Sequence, residues 1–298
     1  MHMSSRIMLG LMRIGFLSEE KLYKLIKDCL DNGVTKFDIA DIYGHKKCEK
    51  KLGNVLKEHP ELRKKMYLQT KTGIAFETCG YDSSYEYIVK SVEEAIERLH
   101  CDYLDCYLIH RPDIFMDAGE VAKAINYLLG KGAIKDFGVS NFSASEIEYL
   151  QERLPCPIKY DQVQLGIGNT DMIDQTMYTN MPHKNVSKGP DDLFFYLKRN
   201  DIAIQCWSPY QYGLFEGSVF NKWKHRKINQ CLNKYAKKYG TTPCAIATAF
   251  LLKLDKHLLV ITGSTDIEHI KESIQGEKIE LSKEDWYRIY EGTGHILP

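Results

Sequence analysis

FDIADIYG, at Phe37–Gly44, runs from an apolar strand-like stretch directly into a carboxylate, Asp38, and a phenol, Tyr43. Two later segments repeat the layout. LQTKTG at Leu68–Gly73 closes its run on Lys71, and YLIHRPD at Tyr107–Asp113 closes on His110. Asp38, Lys71 and His110 are separated by 33 and 39 residues, about the length of one strand–helix–strand repeat, so each is expected to end a successive strand. In a parallel barrel those ends converge, and a carboxylate, a phenol, an ammonium and an imidazole brought together form a proton-handling site.

The rest of the chain carries the same alternation. Eight short β-type runs are read at Ile7–Gly10, Thr35–Ile39, Met66–Lys71, Tyr103–His110, Ile134–Ser140, Tyr160–Leu165, Ile202–Trp207 and Leu258–Thr262. Amphipathic helical segments lie between them. In Ser18–Asp31, Leu22, Leu25, Ile26, Cys29 and Leu30 recur at three and four behind a Ser18 N-cap. Eight strands with intervening helices predict an α/β protein of the (β/α)8 TIM-barrel class. No Pro/Ser/Gly-rich linker divides residues 1–298, so a single barrel domain is expected. Two stretches break the alternation: Gly166–Pro190, read as a long polar insertion that roofs a substrate pocket, and Lys278–Tyr290, read as a capped extra helix.

Composition narrows the classes of function. Forty acidic side chains balance forty basic ones, which gives no long-range attraction to nucleic acid or anionic membrane and points to small partners and a monomer. The nine cysteines are scattered and include no CxxC pair with metal-ligand spacing, so no metal site is expected. No signal-peptide pattern and no run of about 20 apolar residues is present, and the expected compartment is the reducing cytoplasm.

The segments FDIADIYG, QTKTGI, LIHRPD, GVSNF (Gly138–Phe142), DQVQL (Asp161–Leu165), CWSPY (Cys206–Tyr210) and ITGSTDIEHIKES (Ile261–Ser273) occur in the order found in the aldo-keto reductases. The chain resembles most the bacterial YdhF-type branch of that family, from Ile7 onward. The resemblance gives Asp38, Tyr43, Lys71 and His110 the family's catalytic roles. Alone, each has a plainer reading: a capping carboxylate, a packing tyrosine, a solvated lysine, a strand-end histidine.

The residues suit those roles. Carbonyl reduction needs a hydride at carbon and a proton at oxygen, and a phenol of ordinary pKa near ~10 is a reluctant donor. The Lys71 ammonium would stabilise the phenolate as the proton leaves, Asp38 would hold Lys71 charged and oriented, and His110 would hydrogen-bond the substrate oxygen.

Hydride comes from a cofactor, because no side chain donates one. The GxGxxG signature is missing after the first strand, so a barrel of this kind would bind the nucleotide with loops. By resemblance, Ser140, Asn141 and Gln162 hold the nicotinamide carboxamide and Trp207 lies against its ring. Ser208, Pro209 and Tyr210 begin the loop along the pyrophosphate, with Gly213 and Gly217 further along it. Gly263, Ser264, Thr265, His269 and Glu272 receive the adenosine end, near a helix that begins around Asp266. NADPH is the expected cofactor, with NAD possible, because relatives often carry Lys or Arg where this chain has Gly263, Asp266 and His269; Lys271 is the candidate to compensate.

Met12, Tyr43, Tyr210, Tyr212 and Phe215 suggest an apolar pocket for an aldehyde or ketone. Two other readings belong to different classes. One is a nicotinamide-nucleotide-binding regulatory module of slow turnover, resembling potassium-channel β-subunits. The other is a phosphate-handling barrel isomerase or lyase, which would leave Trp207 and Gln162 with no nicotinamide to bind.

Overall fold

The computed structural model describes residues 5–75, 80–179, 181, 192–212 and 217–297. Part of the proposed insertion (180 and 182–190), together with Gly213 and Phe215, lies outside the described residues.

Eight strands follow one another in sequence order and close into a barrel: β1 (Ile7–Gly10), β2 (Lys36–Asp38), β3 (Tyr67–Thr72), β4 (Leu104–Ile109), β5 (Ile134–Ser140), β6 (Tyr160–Gln164), β7 (Ala203–Trp207) and β8 (Leu259–Thr262). Neighbouring strands are parallel. β4 is buried along its whole length, as a strand with both faces covered must be. Every strand read from the sequence is present, its bounds shifted by at most one residue.

Backbone contacts gather the chain into two compact units, and the first holds Met8–Gln162 with Gly263–Thr265. Its helices are α1 (Glu19–Asp31), α2 (Lys47–Glu58), the short α3 (Pro60–Arg63), α4 (Tyr85–Arg98), α5 (Ala118–Gly130) and α6 (Ala144–Gln151). Polar side chains start most of them. Ser18 accepts from the Lys21 N–H, Ser84 from Tyr87, Asp117 from Gly119 and Glu120, and Ser143 forms a reciprocal capping box with Glu146. α1 buries Leu22, Leu25, Ile26 and Cys29, the face its periodicity marks.

The register of this unit sets up the site. Gly10 pairs with Asp38, Asp38 with Gln69, and Lys71 with Leu108. Side chains two apart on a strand share a face, so Gln69 and Lys71 both turn toward Asp38.

The second unit holds Ser5–Ile7, Val163–Thr262 and the chain from Asp266 onward. It carries α7 (Asp171–Met177), α8 (Leu193–Arg199), α9 (Arg226–Tyr239), α10 (Pro243–Leu252), α11 (Ile267–Gly276) and α12 (Lys283–Gly292). α10 is apolar all round and buried from Cys244 to Leu252. Phe250 stacks on Trp286 of α12 with ring centroids 4.8 Å apart. The extra C-terminal helix exists but begins later than read, at Lys283 behind a Ser282 cap rather than at Lys278, and runs to Gly292.

The insertion differs from its reading as a polar loop. Its first half folds: Ile167, Ile173 and Tyr178 are buried and Asp171–Met177 is helical. The apolar residues are spaced too sparsely among polar ones to register as a helix, and burial rather than propensity secures it. No helix among the described residues is long and apolar enough to cross a membrane.

Gly53 in α2 meets the end of α4 closely enough that a Cβ there would stand 1.9 Å from the Arg98 carbonyl oxygen. Because the obstacle is backbone, Gly53→Ala should lower the unfolding free energy by about 2 kcal/mol or more in urea titrations. An unchanged midpoint would show that the two helices separate freely.

Candidate active site

Asp38 ends β2, and Lys71 lies two residues beyond the Gln69 that faces it across the ladder. The Lys71 ammonium donates to both carboxylate oxygens of Asp38, at 2.6 and 2.7 Å, and to the Ile39 carbonyl at 3.0 Å. Gln69 and Gln162 donate to Asp38 Oδ1 at 2.7 and 2.9 Å. All four side chains are buried. A buried ion pair is costly to desolvate and tolerable only when its remaining lone pairs and protons are met, as here. Gln69 was not singled out by the sequence, although it opens the QTKTGI segment, because a glutamine there names no role by itself.

Tyr43 reaches this pair through the turn that follows Ala40. Gly44, His45 and Lys46 have φ of 59°, 53° and 67°, a left-handed run that glycine adopts freely and the other two only at a cost. The turn is closed by Lys46 N–H to the Asp41 carbonyl at 2.8 Å and Cys48 N–H to that of Tyr43 at 3.3 Å. It leaves the Tyr43 ring 5.2 Å from the Lys71 ammonium and edge-on to His110, with ring centroids 6.1 Å apart. The four residues read as a proton-handling set are therefore together, within the first unit.

Their ionisation follows from burial and neighbours. Burial raises the Tyr43 phenol, Lys71 pulls it down, Asp38 opposes that, and the net position is above the ordinary value. For Lys71, burial pushes down, but Asp38 and then Tyr43 outweigh it and leave the ammonium above its ordinary value. His110 is held well below its ordinary value by burial, then by the charges of Lys71 and Arg111. At neutral pH the set is a protonated phenol, an ammonium and a neutral imidazole. The buried Nδ1 of His110 has no hydrogen-bond partner among the described residues.

The candidate carboxamide ligands form a chain of their own between the end of β5 and the middle of β6. Ser140 Oγ donates to the Gln162 carbonyl at 2.8 Å, and Asn141, at φ 62°, donates from Nδ2 to Ser140 Oγ at 2.8 Å and to the His110 carbonyl at 3.3 Å. Gly263 accepts from Arg13 Nη1 at 3.1 Å, a contact that no sequence pattern indicated. Ser264 is half-buried and Thr265 exposed.

In the second unit Trp207 is half-buried at the end of β7, and Ser208 beyond it takes φ 53° and donates to Gln211 at 3.0 Å. Pro209 is buried, and its carbonyl accepts from Ile167 N–H at 2.9 Å. A Cβ on Gly166 would meet that carbonyl oxygen at 2.7 Å, so the folded half of the insertion packs on the Ser208–Pro209 loop. Tyr210 turns its hydroxyl to Thr248 and Ser273, both at 2.7 Å. Tyr212 stacks on His225. His269 is exposed, with Nδ1 3.9 Å from Asp266, and Glu272 is half-buried. Lys271 is engaged by Glu268 at 2.7 Å.

The aldo/keto reductase family model matches residues 6–292. The chain belongs to the aldo/keto reductase family. It is 32% identical to oxidoreductase YdhF of Escherichia coli K12 over 305 residues, covering 99% of this chain and 95% of that protein. Among solved structures, the thermostable aldo-keto reductase Tm1743, in complex with the inhibitor epalrestat, superposes with a TM-score of 0.78 at 24% identity, covering 97% of this chain and 95% of that one. An aldo-keto reductase from Klebsiella pneumoniae in complex with NADPH superposes with a TM-score of 0.75 at 20% identity, covering 96% and 90%.

In this aldo/keto reductase a second buried carboxyl adjoins the tetrad. Asp41, whose N–H donates to the Lys71 carbonyl at 3.1 Å, has Oδ1 buried without a partner among the described residues. Its pKa is raised to about 7 by burial and then by Glu49, against the lowering effects of the Ile42 N–H, Arg98 and Lys46. Glu49 is itself buried against Thr70 and Arg98 at 2.7 and 2.8 Å. Since the folded pKa lies above the unfolded one, the contribution of Asp41 to stability is fully present below about 4 and is lost as pH rises through about 7. Asp41→Asn should therefore gain stability relative to the parent between pH 5 and pH 8, by on the order of 2 kcal/mol in urea titrations. A difference that does not vary with pH would mean that Asp41 titrates normally.

Proposed function

We propose that this protein reduces an aldehyde or ketone to the alcohol with NADPH, Tyr43 acting as general acid. The observation that carries the reading is the fully buried Lys71–Asp38 pair beside the Tyr43 ring, with a neutral His110 edge-on to that ring. The Klebsiella aldo-keto reductase structure, with its NADPH, supports the choice of cofactor.

The residues fit a nicotinamide nucleotide in their chemistry. Arg13 is an exposed cation whose guanidinium no carboxylate among the described residues pairs with, and a polyanionic ligand suits it. Amide and hydroxyl groups at Ser140, Asn141 and Gln162 would hold the carboxamide, and Trp207 would lie against the ring. Ser208, Pro209 and Tyr210 are assigned to the pyrophosphate loop, with the Tyr210 ring rather than its engaged hydroxyl facing the ligand. Gly263, Ser264, Thr265, His269 and Glu272 would line the adenosine end. When bound, the cofactor supplies the hydride.

The chain's own groups handle the proton. His110, neutral at neutral pH, donates a hydrogen bond to the substrate carbonyl oxygen and fixes it near the Tyr43 hydroxyl. Tyr43, held protonated by burial, transfers its proton to that oxygen as negative charge develops there. Lys71 stabilises the phenolate left behind, and Asp38, oriented by Gln69 and Gln162, keeps the ammonium in place. The exposed Met12 and the half-buried Tyr43 suit a carbonyl compound without a large charged group.

A panel of aldehydes, dicarbonyls and quinones with NADPH or NADH, followed at the reduced-nicotinamide absorbance band, tests the reading; no oxidation with any member would reject it. Tyr43→Phe should lower kcat/KM by at least about 100-fold and leave the cofactor Kd within about twofold, because it deletes the donor and keeps the ring. Retention of more than about a tenth of the activity, a loss under ~1.4 kcal/mol, would remove Tyr43 from the role of acid.

A further inference from the structure

Arg13 lies just beyond β1, on a segment fixed to the tetrad's strand by the Leu11 N–H, which donates to the Asp38 carbonyl at 2.8 Å. Its Nη1 donates to the Gly263 carbonyl at 3.1 Å. A Cβ placed on Gly263 would have that same Nη1 as its nearest neighbour, at 3.4 Å. The guanidinium therefore occupies the room that a side chain at position 263 would enter, and the bare glycine and the long arginine are complementary.

The charge on this loop is otherwise spoken for or missing. Gly263–Thr265 contains no ionisable side chain. Lys271 is held by Glu268 at 2.7 Å, and His269 has Asp266 3.9 Å from its Nδ1. Arg13 is exposed, has no carboxylate partner among the described residues, and uses one of five N–H donors on Gly263. A planar fork of that kind matches a phosphate better than a point charge does.

We infer that Arg13 is the phosphate anchor of the nucleotide site, supplying from the β1 loop the cation that position 263 lacks. The inference rests on the reductase reading of the site. Its ligand class is a phosphate of the dinucleotide, either the 2′-phosphomonoester of NADPH or the pyrophosphate common to NADPH and NADH. The hydrogen bond to Gly263 sets the guanidinium plane before the ligand arrives, so little side-chain freedom is lost on binding.

The test is a titration of NADPH and NADH into the parent protein, Arg13→Gln, Arg13→Lys and the double variant Arg13→Gln/Gly263→Lys, read by quenching of tryptophan fluorescence and by thermal shift. Arg13→Gln should weaken NADPH at least about tenfold, or ~1.4 kcal/mol, with the ligand-free melting temperature unchanged. A lysine at 263, entering the room the guanidinium has left, should recover most of that loss. A parallel loss for NADH assigns the pyrophosphate, and an unaffected NADH assigns the 2′-phosphate; either upholds the anchor. Arg13→Gln binding both nucleotides within about twofold of the parent overturns it, as does a folded double variant that recovers nothing, since Arg13 would then only fasten the loop. If the double variant melts lower, Arg13→Lys decides: binding tighter than that of Arg13→Gln upholds the anchor, since a point charge keeps part of the attraction, and a loss equal to that of Arg13→Gln overturns it. A parent protein that binds neither nucleotide overturns the reductase reading itself.

Discussion

A fully buried ammonium and carboxylate, Lys71 and Asp38, organise the first unit of this aldo/keto reductase. Taking both charges out of water costs several kcal/mol each, and an apolar pair of similar volume would often be as stable or more so. Such a pair is therefore poor evidence for stability and better evidence for a requirement. Two glutamines and the Ile39 carbonyl complete its hydrogen bonding. The strands hold those groups in place, because Gln69 and Lys71 share a face of β3 and Gln162 lies within β6.

The same pair sets the ionisation of its neighbours, and the balance is between burial and charge. Burial alone would make Lys71 a weaker cation and Tyr43 a weaker acid. Asp38 reverses the first effect, while Lys71 only moderates the second. The outcome is a phenol held above its ordinary pKa with an ammonium beside its ring. His110, near the same cation, is held well below its ordinary value by burial and then by Lys71 and Arg111, so its imidazole is neutral. Asp41 and Glu49 carry a second buried acid cluster next to it, where Arg98 satisfies Glu49 while burial and then Glu49 raise the Asp41 carboxyl to about 7.

Left-handed backbone recurs where the candidate site residues leave the strands. Gly44, His45 and Lys46 turn the chain after Tyr43, Asn141 does so after β5, and Ser208 after β7. Non-glycine residues in that region cost of order 1 kcal/mol each and persist only where surrounding contacts enforce them. At Asn141 those contacts are the Ser140 hydroxyl and the His110 carbonyl. At Ser208 the loop is backed by the Ile167–Pro209 hydrogen bond and the bare Cα of Gly166.

The sequence by itself determined the elements and singled out the four side chains that the strands bring together. Strand periodicity and length are local properties, and Asp38, Lys71 and His110 each fall at the end of an apolar run, where the pattern changes. The caps at Ser18 and Ser282 are equally local. Tertiary structure decided what depends on residues distant in the chain. It brought Gln69 and Gln162 onto one carboxylate oxygen, engaged the Tyr210 hydroxyl with Thr248 and Ser273, and folded Asp171–Met177 into a helix where the composition suggested a polar loop. It also carried Arg13 across 250 positions to the carbonyl of Gly263. A motif records which residue stands at a position; which guanidinium fills the space beside a glycine is fixed only when the strands close and their loops are packed.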